Sequence, residues 1–440
     1  MIKSEFKLLM LVLALILFGG NVKAQQKMSL TVGQAVEIGL KNSKTLHSSL
    51  MKVKSAEAKV KEINAGRLPS LKLAAAYRRL SSIDPFSISF LGNTYTISPA
   101  VLDNYTTQLT LMQPVFTGFK LMAGSDMAEQ SAKATSEDYT KDQSDLVFNI
   151  RNAYWSLFKA MQMKTVMDET VNQAKAHIND AKNLLKAGML TQNDILKLEV
   201  QLSDVEFKQV DAENAVKLAN VALNSVLNIP LETEIEINSQ PDAVPSEYEG
   251  IDKLVSDAVD KRPEIKSADY RVKASEANVT MAKSSWYPQI SIVGDYYYSK
   301  PNQRIFPTKD EFKGTWDAGV NVSVNIWDWL TTAHQTEQAQ AQLTQSMDAL
   351  SIIKDNITLE VTQNYLNFTQ SKKKIDISKL GVQQAEENLR VTEDKFKNGM
   401  ALSSDVVDAE TAYSTAKINH TNSVVDYELA KARLDKSIGK

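Results

Sequence analysis

LKAGMLTQNDILKLE, from Leu185 to Glu199, and FKNGMALSSDVVDAE, from Phe396 to Glu410, are two versions of one pattern. Each has the end of a helical run, a Gly-Met pair (Gly188-Met189 or Gly399-Met400), a short polar turn and an Asp opening a new helical run. Gly just past a periodic segment marks a helix end, and an acidic residue just past a turn marks a helix start. Upstream, Met167, Val171, Ala174, Ile178, Ala181 and Leu185 recur at 3-4 heptad spacing. Downstream, Ile195, Leu198, Leu202, Val205, Ala212, Val216, Ala219, Leu223 and Val226 do the same, with Gln209 the one polar seam position. Two such helices joined by a short turn predict an antiparallel coiled-coil hairpin. The other helix faces read as polar but weakly charged.

The repeat covers the chain. Gly399 lies 211 residues after Gly188, and the same offset pairs Tyr154 with Tyr365 and Asp194 with Asp405. RLPSLKLAAAYR (67–78) pairs with WYPQISIVGDYY (286–297) at a larger offset, so the first copy carries an insertion. The segment after Arg79, SSIDPFSISFLGNTYTISPA, reads as that inserted loop. The expected organisation is a first repeat over 25–228, a Pro-rich acidic linker over 229–250, and a second repeat over 251–440. Each repeat reads helix, strand, loop, strand, long helix, tip, helix. The long helices, about 119–187 and 330–398, contain no Pro and one Gly each, Gly124 and Gly381. Unbroken, each would span ~100 Å at 1.5 Å per residue.

Residues 1–24 have a basic start (Lys3, Lys7), an apolar core (Leu8 to Phe18) and a small-x-small site at Val22-Lys23-Ala24, the pattern of a secretory signal peptide cut before Gln25. The net charge of −3 then becomes −5 in the mature chain, which disfavours a nucleic-acid partner. The chain has no Cys, so stability must come from packing rather than disulfides, and no lipid can be attached through an N-terminal Cys. No later apolar run approaches the length of a spanning helix. Entry into a membrane would therefore have to be as a β-barrel.

Four strands are expected, near 68–79, 105–116, 287–299 and 316–327. Trp316, Ala318, Val320, Val322, Val324 and Ile326 alternate with polar residues, and Ile290, Ile292, Gly294, Tyr296 and Tyr298 share a face opposite Ser291 and Asp295. Each run has the ~10 residues a tilted strand needs to cross a bilayer, with aromatics at its ends. Four strands cannot close a barrel, and an open sheet in lipid is not viable. Either several chains share one barrel, or the sheet is soluble with one face buried in protein.

In this order and spacing the chain resembles the TolC-like outer-membrane efflux channels. The likeness rests on the signal peptide, the two-fold repeat, strand pairs set between long helices, Pro69 and Pro288 before the leading strands, the QPVFTG exit at 113–118, and the pattern around Gly399, Asp405 and Ala409. The resemblance implies a mainly α fold with a small β part: a homotrimer sharing a twelve-stranded barrel in the outer membrane lipid, four strands per chain, with the coiled-coil helices forming a periplasmic α-barrel. It implies a passive exit duct of a tripartite efflux or type I secretion system in a Gram-negative bacterium, without a cofactor or metal. A periplasmic adaptor and a proton- or ATP-driven inner-membrane pump would be its partners. Gating would be by untwisting of the coiled coils at the tips. Asp405 and Asp408 match the family's acidic pair at the constriction. Three chains would stack them as rings favouring cations. Gly188, Gly399 and Asp194 belong to the tip gate region. Phe396 and Ala401 stand where the family pattern has a Tyr and an Arg that link the closed gate. Asn325 stands where the first repeat has Pro114.

Asp194 and Asp405 also fit helix caps in their own right, and Thr191 with Asp194 fits a capping box. Asp408 lies further into the helix. No nucleophile elbow, phosphate-binding loop or dinucleotide fingerprint occurs, and His47, His177, His334 and His420 have no ligand spacing, so no enzyme is expected. His420 reads as a packed seam residue. The alternative to a duct is a soluble periplasmic coiled-coil scaffold with no channel, which would bury Val320, Val322 and Val324 in protein.

Overall fold

The computed structural model describes residues 27–241 and 247–440; the expected signal peptide and part of the linker, 242–246, lie outside them. In chain order the elements are β1 (Lys27–Leu30), α1 (Val32–Asn42), α2 (Lys44–Ala65), β2 (Ser70–Arg79), β3 (Phe86–Phe90), β4 (Asn93–Ser98) and β5 (Asp103–Thr117). The long helix α3 (Lys120–Lys186) and α4 (Gln192–Leu227) follow, then β6 (Glu234–Ile237), α5 (Ile251–Lys261), α6 (Pro263–Ala282) and, after a 3-10 turn, β7 (Gln289–Lys300). The chain ends with β8 (Lys313–Ser323), the long helix α7 (Thr331–Lys397) and α8 (Ser403–Ser437). Gly124 and Gly381 sit inside α3 and α7 without breaking them.

Packing divides the chain into two compact units, and each draws on both copies of the repeat. Of the described residues, one unit holds those up to His47, those within 142–258 and Thr358–Lys440; the other holds Ser48–Lys141 and Val259–Ile357.

The helical unit is organised by seams. Met167, Val171, Ala174, Ile178 and Ala181 of α3 are buried, as are Ile195, Leu198, Val205 and Ala212 of α4. Gln209, the polar break in the α4 seam, is satisfied: its side-chain amide donates to Asp168 at 2.7 Å, and Asp168 also accepts from Lys164 at 2.7 Å. Those contacts, the Gln209 amide first, hold the Asp168 carboxyl below its ordinary value. A larger core gathers Ile150, Tyr154, Leu157, Leu223, Leu227 and Val425. Its floor is a two-stranded parallel sheet, β1 on β6, with Met28 opposite Ile235. Tyr154 anchors that sheet. Its hydroxyl donates to the Leu30 carbonyl at 2.9 Å and accepts from the Ser239 N–H at 3.1 Å.

The outer helix faces and the segment after Arg79 differ from the sequence expectations. The polar reading of the outer helix faces misses a second apolar stripe. Leu196, Val200, Phe207, Val210 and Leu218 of α4, and Leu359, Leu366, Ile377 and Leu380 of α7, are exposed in the single chain. The segment after Arg79 is not a plain loop either. Its β3 and β4 form a hairpin with Ile88 opposite Tyr95, and Ser87 and Ser89 bonded across to Thr96 and Thr94.

The other unit contains a four-stranded antiparallel sheet in the order β2-β5-β7-β8. The alternation expected past Ser323 does not continue as strand. Ser323 pairs with Gln289, the first residue of β7; before Gln289 comes Pro288, which has no N–H to offer. Pro114 sits at a register shift in β5, where a missing donor is tolerated. The strand then exits through Gly118, whose φ is +59°; a Cβ there would lie 2.3 Å from the Ser284 carbonyl oxygen.

Candidate functional site

Two features of the chain bear on function: the hairpin tips and the faces of the four-stranded sheet.

Both tips close with the same turn. The Gly188 N–H donates to the Leu185 carbonyl at 2.9 Å and the Met189 N–H to Leu184 at 3.0 Å; the Gly399 N–H donates to Phe396 at 2.9 Å and the Met400 N–H to Lys395 at 2.8 Å. This pair of bonds is a Schellman motif, which needs a left-handed residue after the helix. Gly188 and Gly399 supply it, with φ of +75° and +72°. The two tips meet within the chain, since a Cβ on Gly399 would lie 2.9 Å from the Met189 methyl.

The next helix starts differently in each tip. In the first, Thr191 and Asp194 form a full capping box. The Asp194 carboxylate accepts from the Thr191 N–H at 3.0 Å and hydroxyl at 2.7 Å, and the Asp194 N–H donates back to the hydroxyl at 3.3 Å. The Thr191 hydroxyl, then its backbone, holds the Asp194 carboxyl below the ordinary Asp value. In the second tip Leu402 occupies the cap position and is exposed. Asp405 accepts only the Leu402 N–H, at 2.9 Å. Asp408 makes no hydrogen bond or ion pair among the described residues. Asp405 and Asp408 are exposed three residues apart on α8, on one face of the helix.

At the tip Phe396 is buried and Ala401 is half-buried. Phe396 is buried in a cluster with Ile178, Ala181, Ile195, Leu198 and Val406, and Ala401 packs against it. The contact between the two hairpins of one chain is therefore apolar at this point. Further along it is polar, with Thr170 bonded to Ser414 at 3.2 Å and Glu169 paired with Lys417. The structure also brings together His177 and Glu410, both buried and both missed by periodicity. His177 lies off the α3 seam, and its partner is remote in the chain, so no local signal could reveal the contact. His420, read as a packed seam residue, is half-buried against Ser378, its Nδ1 3.1 Å from the hydroxyl. Burial, then Lys379, lowers its pKa. No helix among the described residues is long and apolar enough to cross a membrane, and no cluster of three or more His, Asp or Glu among them could hold a metal ion.

The four-stranded sheet is sharply two-faced. Cross-strand register puts Leu71 opposite Leu111, Leu73 opposite Leu109, Leu109 opposite Tyr296, Tyr296 opposite Trp316, and Ile292 opposite Val320. Directly opposed residues share a face, and these side chains are exposed, Trp316 at 76% and Val320 at 63%. The opposite face is a hydrogen-bonded polar network. Asp295 accepts from Gln108 at 2.8 Å and Thr110 at 2.5 Å, Gln108 also donates to Tyr297 at 3.1 Å, and Arg304 pairs with Asp317. Among the described residues both edges, β2 and β8, are open along 10 and 11 residues.

Solved structures share this architecture. The Vibrio cholerae outer membrane protein VceC matches with a TM-score of 0.78 at 16% identity, covering 93% of this chain and 96% of that one. The open-state outer membrane channel MtrE of Neisseria gonorrhoeae matches with a TM-score of 0.74 at 16% identity, covering 93% and 88%. The chain has the fold of outer-membrane channel proteins. The sequence profile of the outer membrane efflux protein family matches residues 36–228 and 254–440, and the chain belongs to that family. Outer membrane protein TolC of Salmonella enteritidis is 21% identical over 445 residues, 98% of this chain and 86% of that protein. Proteases secretion protein PrtF of Dickeya chrysanthemi is 20% identical over 415 residues, 93% of this chain and 87% of that protein. Protein CyaE of Bordetella pertussis is 23% identical over 323 residues, 72% of this chain and 64% of that protein. The family is one of channels, not enzymes.

Proposed function

We propose that the chain is one third of an outer-membrane exit duct for an efflux or type I secretion system. Three chains contribute four strands each to a twelve-stranded barrel in the outer membrane, and their hairpins form a periplasmic conduit. The chain reaches this location by export with a cleaved signal peptide. One observation carries the reading: a sheet with a continuous exposed apolar face, a bonded polar face and two unprotected edges. Soluble proteins guard such edges. In lipid, every backbone group must be paired, which an open sheet achieves only by joining others. The apolar face then meets lipid and the face of Asp295, Asp317 and Arg304 lines water. The exposed stripes on α4 and α7 support the same reading, because contiguous apolar surface of that kind marks contacts with further chains. A soluble scaffold would need that sheet face buried, and the described residues do not cover it.

In the conduit, Asp405 and Asp408 of three chains form acidic rings at the narrow end and favour cations. Asp194 is held by its cap, while Asp408, which makes no hydrogen bond or ion pair among the described residues, is free to face the lumen. The tips open by untwisting of the coiled coils when a periplasmic adaptor and an inner-membrane pump engage. Substrate passes without chemistry. The mass of the detergent-solubilised particle tests the assembly. Three chains per particle are expected, and a detergent-free monomer would overturn it.

A further inference from the structure

The contact between the two hairpins of a chain is apolar at Phe396 and Ala401, and a buried polar pair lies beside it. His177 on α3 is 7% exposed and Glu410 on α8 is 6% exposed. They lie 11 residues from the tip glycines, roughly 16 Å along each helix. The His177 Nδ1 is 3.5 Å from a Glu410 carboxylate oxygen, and neither ring nitrogen of His177 has a hydrogen-bond partner. The imidazole leans on Phe396, ring centroids 4.8 Å apart. A cavity of about 140 Å³ adjoins all three.

Buried polar atoms without partners are rare, and each calls for a physical explanation. We propose that His177 and Glu410 are the positioning pair of a proton-sensitive latch between the first and second hairpins. This rests on the gated-duct reading above. Neutral imidazole offers one donor and one acceptor, so it cannot present N–H groups on both sides. Protonated, both nitrogens donate, and Nδ1 then meets Glu410 as a charge-assisted bond. The charged groups around the ring are Asp180 on its own helix, Glu393 and Lys397 on α7, and Glu410 on α8. The cavity leaves room for the ring and carboxylate to shift together, or for water to enter as they part. Acidification therefore tightens the joint that untwisting has to undo, and the closed tip becomes longer-lived.

Single-channel recording of the full-length protein in planar bilayers, between about pH 8 and pH 5, tests the latch with three chains: wild type, His177→Phe and Glu410→Gln. The expected result is that wild-type closed times lengthen about tenfold on acidification, the size of one charge-assisted bond. Both variants should lose that response while keeping the open conductance. His177→Phe preserves ring packing against Phe396, so a purely structural role would leave the pH response intact. Should it fail to assemble, Glu410→Gln, which keeps shape and volume, decides alone. A wild type whose closed times ignore pH, or variants that respond like wild type, would overturn the latch. Absence of conductance in all three proteins would instead sink the duct reading itself.

Discussion

The two hairpin tips of one chain share a turn and differ in how the next helix begins. Gly188 and Gly399 close matching Schellman turns. Past the turn, the first copy keeps Thr191 and Asp194 in a reciprocal box, whereas the second puts an exposed Leu402 where a hydroxyl would cap and leaves Asp405 with one backbone bond. The shared turn is what the fold needs, because only a left-handed residue lets the chain reverse there. The caps are where the copies are free to diverge. The first tip devotes its carboxylate to local structure, and the second leaves Asp405 and Asp408 exposed for the lumen in the proposed duct.

The same contrast between structural and exposed groups holds within the sheet, and the largest expected effect lies there. Val320→Arg places a charge on the apolar face and should cost about 2–4 kcal/mol per chain at mid-membrane. Thr110→Arg, on the polar face, should be tolerated. Recovery of assembled particles from the outer-membrane fraction measures the difference, and equal recovery of both variants would remove the lipid-facing assignment. Next in size, Asp405→Ala combined with Asp408→Ala should bring cation-over-anion selectivity, read from reversal potentials, toward that of free solution. Asp194→Ala should leave selectivity unchanged. Unaltered selectivity in the double variant would confine those residues to a structural role.

Smaller effects separate the caps. Thr191→Ala should cost about 1 kcal/mol of local stability, and Leu402→Ala only a few tenths. Leu402→Thr should gain what Thr191→Ala loses, by completing a second box with Asp405. Hydrogen exchange of the tip amides checks all three. The smallest effect is in pH. Because the Asp194 carboxyl is depressed in the folded chain, its contribution is full above the ordinary value of 3.8 and is lost as pH falls below that through the folded value. Exchange protection at the first tip should fall in that acid window, and Asp194→Asn should abolish the dependence.

Periodicity made the hairpins and the four sheet strands legible. Their signals are long, and each seam residue lies next to its helical neighbours in sequence. The short parallel pair KMSL and EIEI was not legible, since four residues carry no period and the partners are some 200 residues apart. Residues 86–98 read as loop in the sequence because their alternation, Phe86, Ile88 and Phe90 against Ser87 and Ser89, is brief and lies among turn-forming residues. The stripe of Leu196, Val200 and Phe207 is not legible as a contact face because a single seam already accounts for α4 as a hairpin helix. That this second stripe has no partner among the described residues follows only from the packing. The candidate site was legible in part. Gly188, Gly399, Asp194 and Asp405 follow from turn and cap chemistry, whereas the burial of Phe396 with Ile178 and Val406 depends on a contact between hairpins.

The central claim, that this sheet and these hairpins form a transmembrane duct when three chains combine, is tested most directly by conductance. Detergent-purified protein added to a planar lipid bilayer should give discrete, uniform current steps. A water-soluble monomer that never raises the current would contradict it.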